Sequence, residues 1–433
     1  MNLLHFSNAD IAGGAAQATY QLHALLREAG HHSVLAVRQK FSSDPDVVPV
    51  GVRSLRTGHW SELVERARAR MSGGYRVTPL PFHYFNRNLA PIPDLDAALQ
   101  AMPQPDVLFL HWITHLLTVA DIRRLAERVA CPIIWVLLDM EPMTGGCHYP
   151  GSCTRFQTGC KNCPQLQADE SRNWAERTWL EKQQLTDLPI TFLAPTKWLG
   201  DRLAESEIFR KHPVARIPLP MSGRLRPLNK VMAREILGMP LDKKIILIGS
   251  HDLNDPRKGM DHLLTAAKIL ATRRPPDSAP SFQNKDLLFW LMGSNGRSLA
   301  DALPFPSHEA GYIQHNIELA LTYQSADVFA CPSLEDAGPM MVSQAMLCGT
   351  PVVAFNTGIA PELITSGDNG YLARLGDAVD FAHGLEQLLA DDGSAGLRAA
   401  AAAARHHDPH QIERRYEALL AHLTQRPTEP TKT

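Results

Sequence analysis

The sequence has no apolar run long enough to cross a membrane: its longest stretches, IILIG and VLFLHWI, are strand-sized. It has no excess of either charge. With 43 basic and 45 acidic side chains the formal charge is −2, which removes the electrostatic basis for nucleic-acid binding. No repeat of roughly 20–50 residues is visible, which excludes solenoids and propellers. The opening MNLLHFSNADIAGGAA lacks a basic leader, and Asn8 and Asp10 interrupt its apolar part. The expectation is therefore a cytoplasmic protein, with attachment at the inner face of the membrane left open. Cysteine is sparse except in one place, where four of the seven fall between positions 147 and 163.

What remains is an ordinary globular balance, 44% hydrophobic and 20% charged, over 433 residues, enough for two domains. Short apolar strands alternate with amphipathic helices. The strands read at MNLLHF, HSVLAVR, DVLFLHW, CPIIWVLL and ITFLAPT, and after a break at KKIILIGS, DLLFWLMG, SADVFACPS and TPVVAFN. Alternation of this kind predicts parallel sheets in two doubly wound α/β domains, with ligands in a crevice between them. The Pro- and Arg-rich stretch 208–226 marks the junction. The expected division is 1–210, 211–405, and a C-terminal helix with a disordered tail over 406–433. Segment 271–285 reads as a surface loop. The stretch SELVERARAR, 61–70, reads first as a solvated helix face, with peripheral membrane contact as its other reading.

Residues 332–355, PSLEDAGPMMVSQAMLCGTPVVAF, read as strand, loop, helix, strand. Pro339 suits a first helical turn and Gly349 a helix stop. The N–H groups from Gly338 to Met341, Met340 included, would then face an anion with the positive end of the helix dipole. Asp336 and Gln344 can both bond sugar hydroxyls; equally, Asp336 is a plain helix cap and Gln344 a surface residue. In SHDLNDPRKGMDHLL, Arg257 and Lys258 follow a strand and turn, where two cations can neutralise a departing diphosphate. Gly13 and Gly14 lie in the first loop, where glycine lets a backbone approach a ligand closely, although the three-glycine dinucleotide fingerprint is missing. His111 ends a strand at a sheet edge and reads either as buried or as a site residue.

These motifs resemble the retaining glycosyltransferases of family four, glycosyl transferases group 1. QAMLCGTPVV is close to the EAMACGTPVV-like run that follows the family's E-x7-E signature, and Asp336 and Gln344 fall on its two acidic positions. The resemblance implies a GT-B fold, two facing Rossmann-like domains with an interdomain cleft. It implies Asp336 on donor sugar hydroxyls and Gln344 on the nucleotide ribose. Arg257 and Lys258, with Gly338 and Met340, would hold the diphosphate; Gly13 and Gly14 would face the donor and acceptor. Both acidic positions depart from Glu, and Pro339 removes one N–H. His111 matches HW motifs of this group and is expected to contact sugar or acceptor. Where many relatives carry an LHD-like motif, WVLLDMEP places Leu138 and keeps Asp139.

The second feature is GGCHYPGSCTRFQTGCKNCP, loop 145–164, with Cys147, Cys153, Cys160 and Cys163. Four thiolates suit structural Zn²⁺ first; an iron–sulfur cluster, disulfides or free thiols are the alternatives. A similar insertion occurs in polysaccharide-building relatives.

Together these imply a retaining, hexosyltransferase-type enzyme that needs no cofactor for the chemistry. It would move a sugar from a nucleotide-sugar donor to a glycan or lipid-linked acceptor in polysaccharide biosynthesis. A non-catalytic binding or scaffold protein and a nucleotide-sugar epimerase are the other readings.

Overall fold

A computed structural model of the chain describes residues 1–50, 95–166, 174–272, 286–338 and 340–425. The basic segment 61–70, most of loop 271–285, Pro339 and the tail 426–433 lie outside the described residues.

The chain forms two compact units. The first holds seven strands: β1 (Asn2–Ala9), β2 (His32–Gln39), β3 (Val47–Pro49), β4 (Val107–Leu110), β5 (Ile133–Val136), β6 (Ile190–Leu193) and β7 (Val214–Ala215). They lie in the order β3-β2-β1-β4-β5-β6-β7, and each neighbouring pair is parallel. The order reverses between β1 and β4, which pair from Leu3↔Val107 to Phe6↔Leu110. Ligands of doubly wound sheets bind beyond the strand C-termini at such a reversal.

Burial follows from the strand period. Leu3, Val107, Phe109, Ile134, Val136 and Leu193 share one core with Leu22 and Leu26 of the Gly14–Glu28 helix. Ile412, Tyr416, Leu420 and Leu423 belong to that same core. They come from the final helix, Pro409–Thr424, at positions spaced three or four apart. The sequence separates this helix from both domains at 406; in the structure it packs into the first unit, as do residues 199–220.

The second unit holds β8 (Lys244–Asp252), β9 (Leu287–Ser294), β10 (Ser307–Gly311), β11 (Val328–Cys331), β12 (Val352–Phe355) and β13 (Gly370–Ala373). The order is β10-β9-β8-β11-β12-β13, again parallel throughout. Alternate residues serve opposite faces. Ile246, Ile248, Phe289 and Val353 pack under the Met260–Thr272 and Ala378–Leu389 helices. Ile245, Leu247, Trp290 and Val352 pack under the Asn316–Ser325 and Met340–Leu347 helices. Both faces are covered, as a parallel sheet requires. Here the order reverses between β8 and β11.

Leu420→Ala is expected to cost about 2–5 kcal/mol. Urea denaturation of the full chain checks it, and an unchanged midpoint would detach the last helix from the first core.

Candidate active site

The loops after β8 and β11, the two strands at the reversal in the second unit, are laced together by two adjacent basic residues. After β8 the chain turns through Pro256–Lys258, capped by the Asp255 carboxylate, which accepts from Arg257 N at 3.0 Å. Arg257 is buried, 6% exposed. Its Nη1 donates to Glu335 O at 2.9 Å and to Asp336 Oδ2 at 3.3 Å, and its Nη2 donates to Asp255 Oδ2 at 3.0 Å. Leu334 N donates to Arg257 O at 2.9 Å, so main chain joins the same two loops. Lys258 Nζ reaches Asp336 Oδ2 at 2.5 Å. Gly259 follows in the left-handed region, φ 70°, and an added Cβ there would stand 1.9 Å from Pro332 O. Only glycine allows that approach.

Asp336 thus sits under both cations. Burial alone would raise its pKa; Lys258 and then Arg257 outweigh that, and the carboxyl titrates below its ordinary value. Its other oxygen accepts from Gly338 N at 3.3 Å. The carboxylate expected on sugar hydroxyls is therefore also the group that aims the two cations. Gly338 and Met340 flank Pro339 at the start of the Met340–Leu347 helix. Gln344 is buried rather than on the surface, 7% exposed, and its Oε1 accepts from the Tyr323 hydroxyl at 3.0 Å. Tyr323 was not legible as a site neighbour, because it lies on a different helix.

In the first unit Gly13, φ 90°, precedes the Gly14–Glu28 helix, which has no side-chain cap. Asp10 fixes this loop: it is buried and accepts from the amides of Ile11, Phe41 and Ser42. His111 is buried at 3% exposure, and its Nε2 meets His5 Nδ1 at 3.0 Å. His5 stacks on Phe109, and His23 bonds Ser33 Oγ at 2.7 Å beside it. His111 is thus buried and bonded to a second buried imidazole. Burial pushes His23 down to about 4 and His111 to about 3, with repulsion from His23 adding to the latter.

A histidine not expected at the site lies at the end of β5. His148, from the cysteine loop, pairs through Nδ1 with Asp139 Oδ2 at 2.6 Å. Trp112 Nε1 donates to the same oxygen at 2.8 Å. Burial opposes both charges, yet the pairing prevails: Asp139 titrates below and His148 above its ordinary value. Leu138 leaves the β5 end without its own histidine, and His148 comes to Asp139 from nine residues away. Lys182, fully buried, holds the intervening turn by bonding Glu141 Oε1 at 2.7 Å and Thr144 O at 3.0 Å.

Cys147, Cys153, Cys160 and Cys163 line one cavity and form no disulfide. Among the described residues no three His, Cys, Asp or Glu side chains are gathered to grip one ion. Among them, too, no helix is long and apolar enough to cross a membrane.

A family model for glycosyl transferases group 1 matches residues 242–391. The second unit is thus similar to glycosyl transferases group 1. The match spans β8 to β13 and contains Arg257, Lys258, Asp336 and Gln344. The D-inositol 3-phosphate glycosyltransferase of Stackebrandtia nassauensis is 30% identical over 175 residues, 38% of this chain and 38% of that protein. The chain thus spans about two-fifths of that relative's length. Among solved structures, sucrose-phosphate synthase from Thermosynechococcus elongatus superposes with a TM-score of 0.67 at 18% identity, over 98% of this chain and 99% of that one. Anabaena HepE in complex with UDP and glucose gives 0.64 at 16% identity, over 98% and 100%. At these identities the likeness is one of fold, and it extends beyond residues 242–391: the chain has the GT-B fold.

Two outcomes follow. Gly259→Ala combines a left-handed backbone with a clash against Pro332 O, and should cost at least about 1–3 kcal/mol in a denaturation titration. His23 and His111 are neutral in the folded chain, whereas in the unfolded chain they bind protons below about 6.5. The unfolded state then holds more protons, so stability is complete above that pH and falls as pH drops toward 4, by up to about 1.4 kcal/mol per ring per pH unit. Urea midpoints on either side of pH 6.5 check this, and His23→Gln should flatten the slope.

Proposed function

We propose that the chain is a retaining glycosyltransferase that moves a sugar, a hexose by resemblance, from a nucleoside diphosphate donor onto a glycan or lipid-linked acceptor. Polysaccharide assembly on the cytoplasmic side of a membrane is the setting that reading carries with it. The supporting observation is the Arg257–Lys258 pair, set beyond the strands at the sheet reversal and aimed by Asp336. The group 1 match over this unit and the UDP bound by HepE agree with it.

The chemistry asks little of a general base. As the glycosidic C–O bond to phosphate breaks, charge grows on the diphosphate and the sugar becomes oxocarbenium-like. Lys258 and Arg257 oppose that growing charge without having to reorganise, because Asp336 and Asp255 already hold them in place. The acceptor oxygen bonds the anomeric carbon on the face the phosphate leaves, and a diphosphate oxygen takes its proton. Gln344, with Oε1 held by Tyr323, presents an amide donor to a ribose hydroxyl.

The test is thermal shift of the purified protein with UDP-, GDP-, ADP- and TDP-sugars, followed by release of the nucleoside diphosphate. One nucleotide, UDP first, should raise the melting temperature. Lys258→Ala should leave the fold intact and lower turnover by roughly 10²–10³-fold. Turnover unchanged in that variant would remove the diphosphate role; no shift with any donor would favour a binding protein.

A further inference from the structure

Sugar transfer leaves the cysteine-rich loop unused. Its four cysteines line a single cavity of about 20 Å³, room for little more than one water-sized body. A backbone amide meets one of the four sulfurs: Gly145 N donates to Cys160 Sγ at 3.1 Å. Such N–H···S contacts fix a sulfur's direction and offset negative charge on it, the usual surroundings of a metal-bound thiolate. The turn that delivers Cys160 and Cys163 is held in left-handed backbone at Gly159, Cys160 and Asn162, with φ of 115°, 53° and 50°. Two of those residues carry a Cβ, so the loop keeps a conformation they resist.

We propose that Cys147, Cys153, Cys160 and Cys163 hold one Zn²⁺ as a closed, structural tetrathiolate centre. Soft thiolates and a count of four match zinc, and the cavity suits a single ion better than a many-atom iron–sulfur cluster. The sulfurs share a cavity without meeting at a point. Binding therefore draws them inward, to about 2.3 Å from the ion. Each thiol that coordinates gives its proton to solvent, so uptake releases acid.

The centre would act on what the loop carries. His148 is the residue after Cys147; its carbonyl accepts from Met140 N at 3.0 Å, and its ring pairs with Asp139. Closing the loop on zinc clamps this histidine to the end of β5. The inference needs no assumption about sugar chemistry, and its test does not read activity.

Elemental analysis of full-length protein, with denatured thiol counts and intact-mass measurement, should find one zinc per chain. Cys163→Ser should lose it. A strong chelator should lower the melting temperature of the wild type, and added Zn²⁺ should restore it. If Cys163→Ser does not fold, exchange of the wild type into Co²⁺ should still give intense sulfur-to-metal absorption. A folded wild type with four reactive thiols and no metal would overturn the proposal. So would a disulfide among the four, or iron accompanied by acid-labile sulfide.

Discussion

The arrangement of charge at the second unit's sheet reversal depends on one buried guanidinium. Arg257 bonds a carbonyl and two carboxylates, and through them ties the loop after β8 to the loop after β11. Buried charges are tolerated only when their bonds are satisfied. The cluster meets that condition by matching Arg257 and Lys258 against Asp255 and Asp336. The same match keeps both cations oriented, so the local field is set before any ligand arrives. Gly259 permits this, because only a residue without Cβ lets the turn press against Pro332 O.

Much of this was legible in the sequence. Each of the nine strands read from apolar runs exists, because a parallel sheet covered on both faces demands continuous Val, Ile, Leu and Phe. Those not read are β3, β7, β10 and β13. Two are three residues or fewer, and Ser307–Gly311 is an outer strand written SHEAG, without an apolar signal. Arg257, Lys258 and Asp336 were named from their places after strands and from the family resemblance, and the fold brings them together. Their mutual ion pairing was not legible, since it joins residues about 80 positions apart. Gln344 was the harder case. Whether a helical glutamine faces solvent or a buried tyrosine depends on which helix packs beside it, and sequence period alone does not say.

The end of β5 illustrates a different limit. Leu138 stands where many enzymes of the resembling family carry a histidine. Yet Asp139 acquires an imidazole from His148, delivered by the loop whose cysteines drew attention for another reason. Lys182 completes the arrangement from the Trp174–Gln183 helix. The pairing joins a loop residue to a strand end, and nothing in the local sequence of either signals the other.

The last helix has a consequence for how the chain is made. Ile412, Tyr416 and Leu420 fill the core of the first unit, but the ribosome delivers them after the whole second unit. At typical synthesis rates the first sheet waits on the order of ten seconds or more with that face uncovered. The second unit, apart from residues 196–198, is continuous from 221 to 408 and needs no such partner. Birth order and folding order are therefore reversed: the unit begun first is finished last.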